Sequence, residues 1–342
     1  MNQTMKAIGL YRYLPIDHEE SLLDLEVEKP KPTGRDILVQ VKAIAVNPVD
    51  YKVRSPKDKV EENPRILGWD VSGIVEAVGE DCKLFQPGDE VYYAGDLTRP
   101  GGNSAFHLVD ERIAGKKPNS LDFAEAASLP LTSITAYEAL FERLAISQDK
   151  EVNKGKSILI IGAGGGVGSI AVQLAKIAGL TVIGTASRPE TAEWTKEKGA
   201  DFIINHYEDF VLQLENLGIN NVNYILCLHS TEKHWENMAE SIAAQGKICS
   251  IVETDEALNL TLIKNKSVTF AWETMFTKSM YQTKDMISQH HLLNHVAELV
   301  DNNVIHATVN KQLSPINAEN LKTAHAWLET GQAIGKVVLK DF

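Results

Sequence analysis

A glycine-rich turn is the stretch of this sequence whose residue types and spacing point most directly to chemistry. Its glycines are Gly162, Gly164, Gly165, Gly166 and Gly168. An apolar run at 158–161 precedes the turn, and Val167 opens a segment whose apolar residues recur at helical spacing. Such a strand, turn and helix present backbone N–H groups and a positive dipole end to a pyrophosphate. We therefore expect Val167 and these glycines to contact a dinucleotide; a glycine turn without a ligand is the alternative.

The residues after the next apolar run, 181–185, indicate which dinucleotide binds. An adenine ribose without a 2′-phosphate usually meets an Asp or Glu about 20 residues past the glycines. Ser187 and Arg188 take that place here. Because no carboxylate repels a phosphate and a guanidinium can pair with it, the sequence favours NADPH over NADH. Alternatively, Arg188 only opens the helix that follows Pro189.

The segments before the turn predict a β-rich domain. Between residues 5 and 136, apolar and polar residues alternate, as in 37–43 and 71–77, and Pro and Gly mark turns between the runs. This period of two is typical of strands with one buried face. An antiparallel, barrel-like domain is expected, followed by helical segments from about residue 121.

The segments after the turn alternate between helix and strand. Predicted helices cover 190–198 and 286–300, and predicted strands cover 202–204, 224–228, 247–252 and 267–273. The fold class is therefore an α/β Rossmann domain, a doubly wound parallel sheet, joined to a β-rich domain. The chain ends in a helix, a glycine turn and a strand; no helix follows this strand, so it could return to the β-rich domain.

Composition narrows the class of protein. The chain has 342 residues, 44% of them hydrophobic and 23% charged, which suits a globular protein with two domains. Its net charge of −12 argues against nucleic acid or an anionic membrane as the partner. No apolar run approaches the length of a membrane span and no signal-peptide core is evident, so a cytoplasmic location is expected. Three scattered cysteines are too few for a disulfide framework.

Six stretches together resemble the medium-chain dehydrogenase/reductase superfamily, in its branch of zinc-lacking quinone oxidoreductases and zinc-type alcohol dehydrogenase-like proteins. These markers are AVNPVDYKVR (45–54), LGWDVSGIVEAVG (67–79), PGDEVYY (87–93), AASLPLTSITAYEAL (126–140), IIGAGGGVGSIAVQLAK (160–176) and GKVVL (335–339). The resemblance implies a GroES-like catalytic domain at 1–136 and 301–342 and a Rossmann domain at 137–300. It also implies a homodimer, formed by pairing of the last Rossmann strands.

The resemblance also bears on zinc. Zinc members of the superfamily hold a catalytic metal with a Cys in the first marker and a Gly-His-Glu motif in the second, where this chain has Asn47 and Gly68-Trp69-Asp70. The four-Cys structural lobe is absent too. His291 and His295, four residues apart on a predicted helix, are better read as a solvated helix face. We therefore expect no metal site and no zinc.

The first marker also implies the catalytic residues. The superfamily's Asn-x-x-Asp-x-(Tyr or Lys) stretch faces nicotinamide and substrate, which corresponds to Asn47, Asp50 and Lys52. Asn47 would orient cofactor or acceptor, Asp50 would hold the loop or Lys52, and Lys52 would donate to the acceptor oxygen. Many quinone reductases have Tyr at the Lys52 position, whereas enone and alkenal reductases often have Lys. Lys52 as an ordinary surface lysine is the alternative.

Further cofactor contacts are implied by the other markers. The expected residues are Thr132, Thr135, His206, His229 and Lys336. The two threonines correspond to positions near the nicotinamide ribose, although they could be helix-capping hydroxyls. His206 follows the third Rossmann strand, beside the adenine. His229 follows the fourth, where Cys227 and Ser230 replace an Asp and a Gly that are common in the superfamily.

The function expected from these residues is NADPH-dependent reduction of a small hydrophobic carbonyl or quinone. Without a Lewis acid, alcohol oxidation loses its main assistance, whereas a quinone or an α,β-unsaturated carbonyl spreads the incoming charge over a conjugated system. Two alternatives stay open. One is a zinc-dependent alcohol dehydrogenase with unusual ligands, and the other is a non-catalytic protein that binds NADPH or senses redox state.

Overall fold

The structure is a computed structural model that describes residues 3–342. These residues form two compact units. The first unit combines the described residues up to Ile134 with Phe276–Phe342, and the second unit is Thr135–Met275. The glycine turn therefore lies in the second unit, whose residues interrupt the sequence of the β-rich first unit.

The strands alternate with few helices in the first part of the chain and with many in the middle. Within residues 3–342 they are β1 Thr4–Tyr13, β2 Leu23–Glu28, β3 Asp36–Val46, β4 Lys57–Ile66, β5 Val71–Val78, β6 Glu90–Tyr93, β7 Phe106–Asp110, β8 Ala114–Lys116, β9 Ser157–Ile161, β10 Thr181–Thr185, β11 Phe202–Ile204, β12 Val222–Cys227, β13 Ile242–Ser250, β14 Thr269–Trp272, β15 Val309–Leu313 and β16 Lys336–Lys340.

The helices concentrate after residue 121, as the sequence predicted. They are α1 Pro48–Arg54, α2 Phe123–Ala127, α3 Pro130–Tyr137, α4 Gly166–Ile177, α5 Pro189–Glu197, α6 Phe210–Asn216, α7 Thr231–Ser241, α8 Thr261–Lys264, α9 Thr277–Met280, α10 Ser288–Asp301 and α11 Ala318–Glu329. A 3₁₀ helix covers Glu111–Ile113 and a π-helix covers Glu138–Arg143. None of the helices in the described chain combines the length and the apolar character of a membrane span.

The first unit is built on two sheets. The larger has seven strands, ordered β15-β16-β3-β5-β6-β8 with β7 also on β3, and the smaller is β2-β1-β4. The closing strand β16 pairs antiparallel with β3, and Val337 lies opposite Val46. The last strand thus pairs within the β-rich part of the chain, which the sequence left open as a possibility. The return places the C-terminal segment beside the residues that precede α1.

The second unit contains one parallel sheet of six strands in the order β11-β10-β9-β12-β13-β14. Counted along this unit, the order is that of a doubly wound dinucleotide-binding sheet. Every residue of the central strand β9 is buried, as expected where helices cover both faces of a parallel sheet. One large apolar cluster, which includes Leu159, Phe210 and Trp235, fixes the strands relative to α6 and α7. The predicted α/β Rossmann domain with a β-rich partner is thus confirmed.

The second boundary between the units differs from the one drawn on the sequence, which placed 276–300 with the nucleotide domain. The structure groups this segment with the first unit. The Tyr92 hydroxyl donates to the Leu293 carbonyl at 2.6 Å, and His290 Nδ1 lies 2.7 Å from the Ala114 carbonyl oxygen. Helix α10 is therefore anchored on β6 and β8, a long-range contact that its helical pattern does not reveal.

Candidate functional site

The start of helix α1 is stabilised by the predicted catalytic residues themselves. Asn47 is the N-cap in extended conformation and Pro48 occupies the first turn, where its missing N–H costs nothing. The Asp50 carboxylate accepts the Asn47 backbone N–H at 2.7 Å. Both side chains are almost completely buried, at 2% and 1% exposure. Asp50 therefore holds the loop that leads into the helix.

Lys336 from β16 completes a buried polar network at this point. Its ammonium donates to the Asn47 side-chain oxygen, to the Val46 carbonyl oxygen at 3.1 Å and to Asp70 Oδ2 at 2.9 Å. Asn47 Nδ2 donates to the same Asp70 oxygen at 2.8 Å. The Leu131 N–H donates to the other Asp70 oxygen at 2.8 Å. The network thus connects the end of β3, the start of β16, α3 and the residue that precedes β5.

The electrostatics of this network depend on Lys336. Burial raises the pKa of Asp50 to about 7, although the Asn47 N–H and the Lys336 charge lower it. Burial also raises the pKa of Asp70, and Lys336 is the strongest opposing influence. One ammonium therefore serves two buried carboxyl groups.

Lys52 differs from Asn47 and Asp50 in being exposed on α1. The last residue of this short helix, Arg54, is 2% exposed and fixes the other end. Its guanidinium donates to the Leu14 carbonyl at 2.5 Å and to the Glu329 carboxylate, and its Nε lies 3.4 Å from His325 Nδ1. Arg54 was not among the residues predicted from the sequence. A charged residue two positions after Lys52, at the end of the same marker, was the available signal.

The glycine turn between β9 and α4 leaves no room for a side chain at two of its glycines. Gly162 has a φ of 81°, which favours glycine. A Cβ on Gly168 would lie 2.5 Å from the Gly162 and Ala163 carbonyl oxygens, and one on Gly164 would lie 2.3 Å from Thr191. At Gly165, by contrast, the nearest atom to a Cβ would be 3.5 Å away. The turn is therefore closed on its protein side and open at Gly165.

Backbone donors at the start of α4 follow directly after Gly165. The first intrahelical bond runs from the Ser169 N–H to the Gly165 carbonyl at 2.9 Å. The N–H groups of Gly166, Val167 and Gly168 precede it and have no acceptor within the helix. With the helix dipole, they suit a pyrophosphate. The residues present therefore fit a dinucleotide.

Two residues missed by the sequence analysis shape the predicted nucleotide site. The Thr185 hydroxyl, at the end of β10, accepts the Gly162 N–H at 3.0 Å and so braces the turn. His234 on α7 joins His206 and His229 around an open cavity of about 470 Å³. The three ring centroids are 6.1–6.3 Å apart. Burial lowers the pKa of all three, that of His234 to about 4.

The expected 2′-phosphate residues are at the surface of the same unit. Ser187 is exposed and Arg188 is the N-cap of α5. The guanidinium lies 3.3 Å from the Glu190 carboxylate. Arg188 thus opens the helix, as the alternative interpretation supposed. Its guanidinium is also partly exposed, so a phosphate could replace the Glu190 carboxylate beside it.

The two threonines of α3 are buried. The Thr132 hydroxyl donates to the Leu129 carbonyl at 3.0 Å, a bond common inside helices. Thr135 is 5% exposed and begins the second unit. Thr132 therefore keeps only its acceptor lone pairs for any further partner.

Comparisons with known proteins agree with both units. The alcohol dehydrogenase GroES-like domain family matches residues 33–117, and the zinc-binding dehydrogenase family matches residues 166–289. A zinc-type alcohol dehydrogenase-like protein of Staphylococcus aureus is 44% identical over 335 residues, which cover 98% of this chain and 99% of that protein. The chain belongs to the medium-chain dehydrogenase/reductase superfamily. It is therefore an oxidoreductase by family.

Other superfamily members extend the comparison. A crystal structure of a candidate zinc-dependent alcohol dehydrogenase from Rhizobium etli is 50% identical, with a TM-score of 0.95 and coverage of 100% of this chain and 99% of that one. Escherichia coli quinone oxidoreductase complexed with NADPH is 26% identical, with a TM-score of 0.80 and coverage of 98% and 99%. A tomato 2-methylene-furan-3-one reductase is 37% identical over 60% of this chain and 53% of its own length.

The zinc that these superfamily names imply does not fit the residues present. Asn47 offers an amide, and Trp69 is fully buried with its indole N–H directed to the Asp96 carbonyl at 3.3 Å. The Lys336 ammonium already lies against Asp70, so a divalent cation there would meet charge repulsion. Across residues 3–342, no three His, Cys, Asp or Glu side chains are grouped to hold a metal.

The histidine pair on α10 is not grouped with other ligands either. His291 is exposed, and His295 Nδ1 lies 3.9 Å from the exposed Glu298 carboxylate. Among the described residues, the chain thus has backbone donors at the start of α4 and the Lys336 ammonium beside Asp70, one of the residues that correspond to the zinc-ligand motif.

Proposed function

We propose that this protein reduces quinones or α,β-unsaturated carbonyls with NADPH and without catalytic zinc. The observation that carries the proposal is the Lys336–Asp70–Asn47 network, in which an ammonium and an amide contact Asp70, at residues that correspond to the superfamily's metal-ligand motifs. A site without a Lewis acid has little means of lowering an alcohol's pKa. A conjugated acceptor needs less help, because it delocalises the negative charge that it gains.

Different residues would bind the cofactor and stabilise the reduced acceptor. Bound NADPH would supply the hydride. The N–H groups at the start of α4 would hold its pyrophosphate, and Arg188 would pair with its 2′-phosphate. Lys52 would donate a hydrogen bond to the acceptor oxygen and so stabilise the enolate or hydroquinone anion, which then takes a proton from solvent. Asn47 and Asp50 would hold α1, which carries Lys52.

Two relatives support this assignment. Escherichia coli quinone oxidoreductase was crystallised with NADPH, and the tomato relative is named for reduction of a furanone with an exocyclic double bond. Lys52, where many quinone reductases have Tyr, favours the second kind of acceptor. The acceptor class that we propose first is therefore the α,β-unsaturated ketone or aldehyde.

The test is NADPH consumption against a panel of quinones, enones, alkenals, saturated aldehydes and alcohols. We expect turnover with enones or quinones and none with saturated alcohols and NADP⁺. Enzyme dialysed against a chelator should keep its activity, and metal analysis should find no stoichiometric zinc. A tightly held zinc whose removal abolishes alcohol oxidation would instead support the competing zinc-dependent alcohol dehydrogenase, the function named for the Rhizobium relative. Tight NADPH binding without turnover on any acceptor would indicate a redox-sensing protein.

A further inference from the structure

We propose that Lys336 is a positioning residue: its ammonium fixes the junction between β3 and α1 and thereby holds Lys52 in place. The inference rests on the proposed function, because Lys52 is the donor of that reaction. It also changes the part expected of Lys336, which the superfamily markers placed among the cofactor contacts.

All three N–H donors of the Lys336 ammonium are used inside the first unit. The acceptors are the Val46 carbonyl, the Asn47 side-chain oxygen and the Asp70 carboxylate. The residue is 3% exposed. A lysine has three donors and no acceptor, so a direct bond to cofactor or substrate would require one of these bonds to break.

The acceptors are placed where they control α1. Val46 is the last residue of β3 and Asn47 is the N-cap of the helix, so the ammonium binds both residues of the junction. Lys52 follows within the same seven-residue helix. Arg54 anchors the far end of the helix to Leu14 and Glu329. With both ends fixed, the backbone of Lys52 has little freedom, and precise placement of a donor matters for catalysis.

The charge of Lys336 is needed by its neighbours. Asp70 is fully buried and Asp50 almost so, and removing one partner of a buried ion pair leaves the other charge uncompensated. Without the ammonium, Asp70 would take up a proton or draw in water, and the Asn47 amide would lose the partner of its oxygen. The junction would then sample other conformations, and Lys52 would move with it.

The experiment is a double-mutant cycle between Lys336→Met and Lys52→Ala. Lys336→Met should lower kcat by about tenfold to a hundredfold and leave the KM for NADPH within about twofold, because the affected group is the donor and not the cofactor site. In the Lys52→Ala background, Lys336→Met should have almost no further effect on kcat, since residues that act through one another are not additive.

Lys117→Met is the matched control. Lys117 is another buried lysine of the first unit, and its ammonium donates to the Pro118 and Leu121 carbonyls and lies 3.1 Å from Glu90. None of these three partners belongs to α1. This variant should lose thermal stability as Lys336→Met does, yet keep kcat within about twofold of the wild type. If Lys336→Met does not fold, Lys336→Gln, which keeps two N–H donors, takes its place in the cycle.

The outcomes separate this inference from the proposed function. Additive losses in kcat would overturn the positioning role while leaving quinone or enone reduction intact. A large rise in the KM for NADPH with kcat retained would overturn it as well and would assign Lys336 to the cofactor. A wild-type protein that reduces none of the acceptors contradicts the proposed function itself, before any variant is compared.

Discussion

The three predicted catalytic residues differ in burial and in bonding. Asn47 and Asp50 are buried and bonded to their own unit, whereas Lys52 is exposed on α1. A side chain whose hydrogen bonds are satisfied internally has little left for a substrate. The geometry thus gives Asn47 and Asp50 a part in supporting α1, and the exposure of Lys52 is compatible with the acceptor contact that we propose for it.

Lys52→Ala tests this division. Loss of one preorganised donor to a developing oxyanion should lower kcat by about 10²-fold, with NADPH binding almost unchanged. Steady-state kinetics with an enone and fluorescence titration of NADPH measure the two effects. A variant with full turnover would remove Lys52 from the mechanism.

Arg188→Ala tests the cofactor preference. A charge-assisted contact to phosphate contributes about 1.5–3 kcal/mol, so NADPH should bind roughly tenfold to a hundredfold more weakly. NADH has no 2′-phosphate and should bind as before. Glu190→Ala is the matched variant: it removes the carboxylate beside the guanidinium and should strengthen NADPH binding slightly. Equal weakening of both cofactors by Arg188→Ala would make Arg188 a structural residue.

Asp50 gives the protein a pH dependence whose sign follows from its pKa. Burial raises the pKa of its carboxyl group to about 7, above the ordinary value of 3.8. Between these two pH values the folded state keeps a proton that the unfolded state has lost, so this group's contribution to stability is full below about pH 4 and declines as pH rises to about 7. Asp50→Asn, which can still accept the Asn47 N–H, should flatten this decline in urea unfolding from pH 4.5 to 8. An unchanged slope would assign it to other groups.

At the scale of elements, the sequence predicted the second unit better than the site in the first. Strands buried on both faces appear as short apolar runs, and the predicted strand at 202–204 matches β11, while 267–273 brackets β14. The Lys336 network could not be predicted in this way, because Lys336 and Asn47 are 289 residues apart in the chain. Only the pairing of β16 with β3 brings them together. His234 was missed because an isolated histidine on a surface-like helix carries no local signal.

The glycine turn offers a matched pair of substitutions at this scale. Alanine at Gly168 would place its Cβ 2.5 Å from two backbone oxygens, whereas alanine at Gly165 would meet nothing nearer than 3.5 Å. Gly168→Ala should therefore destabilise the free protein by about 1–3 kcal/mol, as other overpacked positions do. Gly165→Ala should leave thermal unfolding nearly unchanged. It should weaken NADPH binding, because the methyl group of the alanine would lie beside the N–H donors of α4, where the pyrophosphate is expected. Equal effects on both measurements would mean that the phosphates bind elsewhere.

At the scale of the whole molecule, the edge strand β14 is the feature that suggests contact with a second chain. It ends the six-stranded sheet with β13 on one side, and Trp272 on it is 46% exposed. An edge strand with exposed apolar residues is an aggregation hazard unless another chain covers it. Because this chain carries a net charge of −12, a symmetric contact between copies needs an apolar patch such as this one. We expect a homodimer in which β14 pairs with its twofold mate.

Light scattering tests this assembly. The wild type should give about twice the 37.7 kDa mass of one chain at micromolar concentration. Trp272→Glu should shift the protein towards the monomer, because two carboxylates would face each other across the twofold axis. Val60→Glu places the same charge at an apolar residue that is 69% exposed on β4, in the other unit, and should leave the dimer intact. A wild-type monomer, or equal dissociation by both variants, would show that β14 is not the contact and that its edge is protected by other means.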